Sequence, residues 1–298
     1  MRRNERSRPI ITFAALLTKE LRLRLRRERS IWIIIIYLLV MGLLGFIFIS
    51  ESGSYNTYTL NLLGRELYTL LASVQLFLIM FITPAFTSTA INGEKERQTF
   101  DLLICSQLSS FALIAGKLVA GLANALLLIA ASVPLFSLVF FFGGVGPEQV
   151  LSALLVFVVT AIFVGTFGLL CSTFFKRPPV STAIAYIFCV IWVLLPWLLS
   201  LLLAVTGSLN GLSPSSLLFI GNPIQALIST FTFYGTSPLF VTYPLFGIYI
   251  ASWISYTVIN LLLSVVFILL SVWLVKPDRR LSRLMEKRLA KNQTTVTG

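Results

Sequence analysis

The chain has 298 residues, of which 57% are apolar and only 11% charged, and its mean hydropathy is +0.92. Soluble domains carry charge on roughly 25% of their residues, so a water-soluble core of this size is excluded and the chain is read as dissolved in lipid. Histidine is absent throughout, which excludes zinc–histidine sites and histidine acid–base chemistry.

The net charge of +12 would suggest a nucleic-acid partner, but its placement argues against one. Of 23 Lys and Arg, ten precede Ser30, three lie between Lys95 and Lys117, two are Lys176 and Arg177, and seven follow Val275. The alternate loops carry only Arg65 against Glu51, Glu66 and Glu148. That alternation follows the positive-inside rule and places both termini in the cytoplasm, where basic tails also gain from anionic lipid. Cys105, Cys171 and Cys189 fall at inner or intramembrane positions, so no disulfide framework is implied.

In chain order, residues 1–30 form a cytoplasmic N-terminus. No small-x-small cleavage site follows its apolar run, so a cleaved signal is not expected. Over residues 10–29, Ile10, Phe13, Ala14, Leu17, Leu21 and Leu25 recur at helical spacing, with Arg22, Arg26 and Arg29 on another face. This pattern reads as an interfacial helix, although the Leu-Arg alternation from Leu21 to Arg26 would also fit a strand. A six-helix, all-α transmembrane domain is then expected over 31–275, with spans at about 31–49, 67–91, 118–142, 150–175, 180–206 and 247–275. Ser50 to Glu66 is expected as an outer loop, 92–110 as a charged inner segment, and 143–149 as a tight outer turn. Lys176-Arg177-Pro178-Pro179 forms the shortest inner loop, and 276–298 a basic cytoplasmic tail.

Between spans five and six, 207–246 is too broken by Gly, Pro, Ser and Asn to cross the bilayer. Asn222-Pro223 is a good helix start, and Ile224, Leu227, Ile228 and Phe231 then recur at helical spacing. A short re-entrant helix packed on protein is the expectation, an ordinary apolar loop the alternative. Within the spans no charged residue occurs, which argues against ion-coupled carriers. Gln75, Thr83, Asn124 and Asn260 are candidate path residues; such residues more commonly hydrogen-bond a neighbouring helix. Gly42 with Gly45, and Gly165 with Gly168, are read as sites of close helix packing.

The inner segment is the most informative stretch. On a helix, Glu94, Arg97, Gln98 and Asp101 form a polar stripe, and Phe100, Leu103, Ile104 and Gln107 lie on another side. A helix held between two spans can act as a lever, or it can simply join them. The run Glu94-Lys95-Glu96-Arg97-Gln98-Thr99-Phe100-Asp101-Leu102-Leu103, followed by Ser106-Gln107-Leu108-Ser109 and Gly116-Lys117, resembles the signature of the type-2 ABC transporter permease family. Lys19-Glu20-Leu21 with its basic run resembles that family's interfacial helix, and Asn222-Pro223 its outer re-entrant element.

The resemblance implies that residues 94–104 form a coupling helix seated in a separate ATP-hydrolysing subunit. Glu94, Glu96, Arg97, Thr99, Phe100 and Asp101 are then its coupling residues. The chain has no G-x-x-x-x-G-K-[ST] phosphate loop, so ATP and Mg would be bound by the partner, an ABC ATPase dimer. A second permease protomer, identical or related, is implied, with spans one and five at the contact. The expected setting is a prokaryotic plasma membrane, the expected activity export, and no nucleic acid is involved. A stand-alone carrier or channel, and a membrane scaffold anchoring a cytoplasmic partner, are the rival readings. Gln98 stands where the family has Gly, Asp101 where it has Glu, and Gln107 where it has Pro. The first departure is expected to straighten a bend, and the second to keep the charge with a shorter reach.

Overall fold

The structure, a computed structural model, describes residues 28–51, 57–96, 98, 110–205, 219–231, 242–245 and 248–275. The interfacial helix expected over 10–29, apart from its last two residues, and the tail after Val275 lie outside the described residues. The elements are α1 (Glu28–Glu51), α2 (Thr57–Thr87), α3 (Asn92–Glu96), α4 (Ser110–Phe142), α5 (Pro147–Phe174), α6 (Pro178–Val205), α7 (Pro223–Phe231), strands β1 (Thr242–Leu245) and β2 (Ile248–Ala251), and α8 (Ser252–Val275). Among the described residues, five helical stretches are long and apolar enough to cross a membrane: Leu60–Glu96, Ser110–Phe142, Pro147–Phe174, Pro178–Leu202 and Ser252–Val275. Within α1 the apolar run is shorter, Ile34–Ser50.

Two boundaries differ from the sequence reading. The expected outer loop over 50–66 is helical from Thr57 onward. Its polar composition suggested a loop, but Leu63 and Leu67 fall on one face and are buried, and Gly64 packs against the carbonyl of Gly143. Packing decides the local structure there, not composition. The last span begins at Ser252 instead of 247, because Ile248–Ala251 pairs antiparallel with Thr242–Leu245. The helical domain therefore carries one two-stranded hairpin. The expected turn between α4 and α5 forms at Gly143 and Gly144, both in the left-handed region (φ 78° and 79°) that a residue without Cβ adopts freely.

Helix α5 is the hub, packing against α8, α2, α4, α6 and α7. Two-thirds of its apolar window (67%) is buried, against 11% for α6. Three glycines let it come close. A Cβ at Gly168 would run into the Thr87 hydroxyl and approach the Ser88 nitrogen at 3.4 Å. One at Gly165 would lie 2.6 Å from Leu122, and one at Gly121 2.7 Å from the Thr87 methyl. So α2, α4 and α5 meet almost backbone to backbone around Thr87, as the Gly165 and Gly168 reading anticipated. Gly42 and Gly45 play no such part: nothing lies within 4 Å of a Cβ at Gly42, and Leu67 is at an ordinary 3.7 Å from one at Gly45.

On the other side of α5, an aromatic column made of Phe163, Phe167, Phe188, Trp192, Tyr256 and Phe267 joins α5, α6 and α8. Tyr256 and Thr160 share a hydrogen bond of 2.8 Å within it. Helix α7 forms where the Asn-Pro signal placed it. The Asn222 side-chain oxygen accepts from the amides of Ile224 (2.9 Å) and Gln225 (3.4 Å), and its amide donates to the carbonyl of Val193 on α6 at 2.9 Å.

These glycine contacts can be tested by their asymmetry. Gly168→Ala forces Thr87 or the α2 backbone to move and should cost about 1–3 kcal/mol. Gly42→Ala meets open space and should change stability by less than about 0.5 kcal/mol. Thermal denaturation of both variants in one detergent, followed by size-exclusion of the surviving fraction, separates the two.

Candidate functional site

The inner end of the bundle, where α2 stops and α3 begins, is tied down by polar contacts. The Ser172 hydroxyl, near the end of α5, accepts the amides of Ile91 (2.9 Å) and Asn92 (3.1 Å) and donates to the Asn92 side-chain oxygen at 3.2 Å. Lys95 donates to the carbonyl of Thr173 at 2.9 Å, a cation at the negative end of a helix. Glu94 forms an ion pair with Lys117 on α4, both side chains mostly shielded. Helix α3 is thus fastened to α4 and α5 at once.

The adjoining turn is fastened to α6. Ser181 donates to the carbonyl of Ser88 at 2.8 Å, and the hydroxyls of Ser88 and Thr182 lie 2.9 Å apart. One turn further along α6, the Tyr186 hydroxyl donates to the carbonyl of Phe81 at 2.8 Å.

Of the six residues expected to couple to a partner, Glu94 and Glu96 are placed. Arg97, Thr99, Phe100 and Asp101 lie outside the described residues. The carboxylate of Glu94 is directed inward to Lys117, whereas Glu96 is exposed. The helix expected from 94 does not run through Gln98. It ends at Glu96, and Gln98 takes a left-handed backbone with φ 58°. The expectation that glutamine straightens this bend is therefore corrected: the bend is kept, at a cost of roughly 1–2 kcal/mol for a residue with a Cβ.

The four candidate path residues are all buried among helices. Gln75 accepts from the Tyr37 hydroxyl, and Asn260 donates to the carbonyl of Tyr256 at 2.9 Å. Gln75 Nε2, Thr83 Oγ1 and Asn124 Oδ1 find no hydrogen-bond partner among the described residues. None of the four lines the large cleft that opens between α2, α6 and α7. That cleft has a volume of about 470 Å³ and is walled by Phe77, Met80, Phe81, Tyr186, Val190 and Leu227, among others, with Ser73 and Cys189 adding sparse polarity. The sequence reading missed it, since its residues have the composition of any lipid-facing stripe. The one signal was the Phe77–Phe81 pair, four residues apart and stacked with centroids at 6.5 Å.

A helical, multi-pass membrane protein with a polar lock at one end and an apolar cleft in its wall is the class defined here. The sequence matches the ABC-2 family transporter protein description over residues 50–275, well over half of the chain, so the protein belongs to that family. It is a membrane component of an ABC transporter, and such membership implies an ATPase partner. No protein of curated function matches the chain.

Two substitutions examine the lock. Glu94→Ala and Lys117→Ala should each lower thermal stability, and the double variant should lose little more than the worse single one, because the two act as a unit. Gln98→Gly relieves the left-handed backbone and should raise stability by up to about 1 kcal/mol, whereas Gln98→Val should lower it. Melting curves of the full chain in detergent decide both.

Proposed function

We propose that this chain is the membrane-spanning permease of an ABC exporter, with α1, α2, α4, α5, α6 and α8 as six spans and both termini cytoplasmic. The distribution of Lys and Arg supports that orientation. Helix α7 dips into the bilayer from outside, packed on α8, α5 and α2. Two protomers, identical or related, meet across α1 and α6. The apolar surfaces left open on these helices support the pairing, including Phe46, Ile36, Leu39, Ile191, Leu198 and Leu201.

The observation that carries the reading is the set of contacts that joins α3 to α4 and α5 and the adjoining end of α2 to α6, one wall of the cleft. Glu94, Lys95 and Asn92 bind α3 to α4 and α5. Ser88, Ser181 and Thr182 bind the end of α2 to the start of α6. A partner ATPase dimer, holding ATP and Mg, docks on the segment from Glu96 through Asp101 as a coupling element. Its closure displaces α3, and the displacement reaches α2 and α6, whose separation sets the width of the cleft. An apolar or amphipathic cargo fits those walls, and ATP-driven alternation moves it outward. Gln75, Thr83, Asn124 and Asn260 then act as internal packing contacts, and the path is formed by the α2–α6 surface.

The test is purification of the full-length tagged chain from its native membrane in mild detergent, with mass spectrometry of what accompanies it. An ATPase in stoichiometric amount is expected, and its loss in Glu96→Lys with normal membrane insertion. A chain that remains solitary after crosslinking in whole cells overturns the reading in favour of a stand-alone carrier. Within the assembled transporter, Cys189→Trp fills the cleft and should lower cargo flux several-fold while leaving ATPase retention unchanged.

A further inference from the structure

A second cleft, of about 460 Å³, lies at the inner end beside α3 and the α5–α6 turn, lined by Lys95, Glu96, Lys176, Arg177 and Pro178. Three cations face one carboxylate there, and Lys176 is close enough for its charge to oppose that of Lys95. Like charges crowded in one concavity raise the local positive potential, and the N-terminus of α6 adds a fraction of positive charge from the same side.

The surroundings of the cleft are apolar. Phe174 at the end of α5 is 65% exposed, and Val180, two residues beyond Pro178, is 42% exposed. Further along α6, Ile187 continues the open apolar surface, before the stretch given to the transport cleft and the protomer contact. A basic concavity thus gives directly onto an apolar stripe. A folded acidic partner would match the charges and leave the stripe unused. A ligand with an anionic head and two hydrocarbon tails matches both.

We infer that this cleft binds the headgroup phosphate of an anionic phospholipid of the inner leaflet, with Lys176 and Arg177 as its main contacts and the acyl chains lying along α6. The site rests on the orientation proposed above, which puts this end of the bundle at the inner leaflet, and not on the cargo or the ATPase. Because α6 is one wall of the transport cleft, a lipid held at its start bears on the position of that wall.

The test uses the full chain, stripped of lipid in mild detergent, and native mass spectrometry with added phosphatidylglycerol or phosphatidylcholine. Wild type should retain one phosphatidylglycerol at concentrations where phosphatidylcholine is not retained. Lys176→Gln/Arg177→Gln removes two cations at the bilayer surface and should weaken retention by roughly thirtyfold. Both side chains are exposed, so the variant should fold normally, which an unchanged size-exclusion profile checks. The charge-preserving Lys176→Arg/Arg177→Lys should retain the lipid, as should Arg279→Gln/Arg280→Gln in the basic tail. Equal retention by the glutamine variant, or equal retention of phosphatidylcholine, overturns the site. Displacement of the lipid by millimolar inorganic phosphate would show a site for a free anion and would overturn the lipid assignment.

Discussion

The close approach of α2, α4 and α5 at Thr87 is the constraint on which the other packing depends. Lipid tails are as apolar as leucine, so burial of apolar surface does not drive helices together inside a bilayer. Dispersion and interhelical hydrogen bonds must do so, and both require short distances. Gly121, Gly165 and Gly168 supply them, by removing the side chains that would hold α4 and α5 away from Thr83 and Thr87. Once α5 is seated, its other faces carry α6 and α8 through the aromatic column, and α7 through burial of Ala226 and Leu227. Helix α6 is little buried along its length, so its four polar links to α2, to Ser88 just beyond it and to Asn222 reinforce the aromatic column in holding it.

The same logic explains why the polar residues of the spans are interior. A hydroxyl or amide facing hydrocarbon has no water to bond, so each tends to turn toward protein. Thr87, Thr160, Ser264 and Ser271 satisfy themselves on carbonyls three or four residues back, or across to a neighbour. Gln75 and Asn124 cannot do so completely and each leaves one atom unpaired, at a cost of roughly 1–3 kcal/mol. The wall of the large cleft, in contrast, is made of residues at home in lipid, which is the composition a hydrophobic cargo requires.

The sequence carried the helices well where hydropathy alone determines them: α4, α5 and α6 begin and end within a few residues of the expected turns, except that α4 extends eight residues inward to Ser110. It failed where partners decide. The first turns of α2 are polar in composition yet helical because their inner face packs, and the strand before α8 exists only through pairing with Thr242–Leu245. Asn222-Pro223 was legible because capping is a local effect. Four glycines looked alike in the sequence, and only the two on α5 sit tight against another helix, Gly165 on the Leu122 and Thr83 side chains and Gly168 on Thr87 and the Ser88 backbone. For the candidate site, the charged motif located the right segment. It could not reveal that Glu94 turns to Lys117 or that Asn92 turns to Ser172, since those partners are distant in the chain. Gln98 is the instructive departure: it stands where the resemblance expects glycine and still takes a left-handed backbone.

Pro84 gives these contacts a mechanical meaning. Its ring removes one backbone donor from α2 and weakens the helical turn on its N-terminal side. That turn contains Met80 and Phe81, which line the cleft, and Tyr186 reaches across to bond the Phe81 carbonyl. Immediately beyond it, Ser88 is pinned to α6 and Ile91 and Asn92 to α5. A force applied at α3 therefore meets a rigid block first and a compliant turn next. In the proposed cycle deformation collects at the compliant turn, beside the cleft, and the glycine-packed contact at Thr87 stays closed. A bundle held equally tightly along its whole length would spread the same force over many residues and open nowhere. In the proposed cycle the unequal stiffness of α2 directs the movement of α3 to the turn at Met80 and Phe81, one part of the cleft wall.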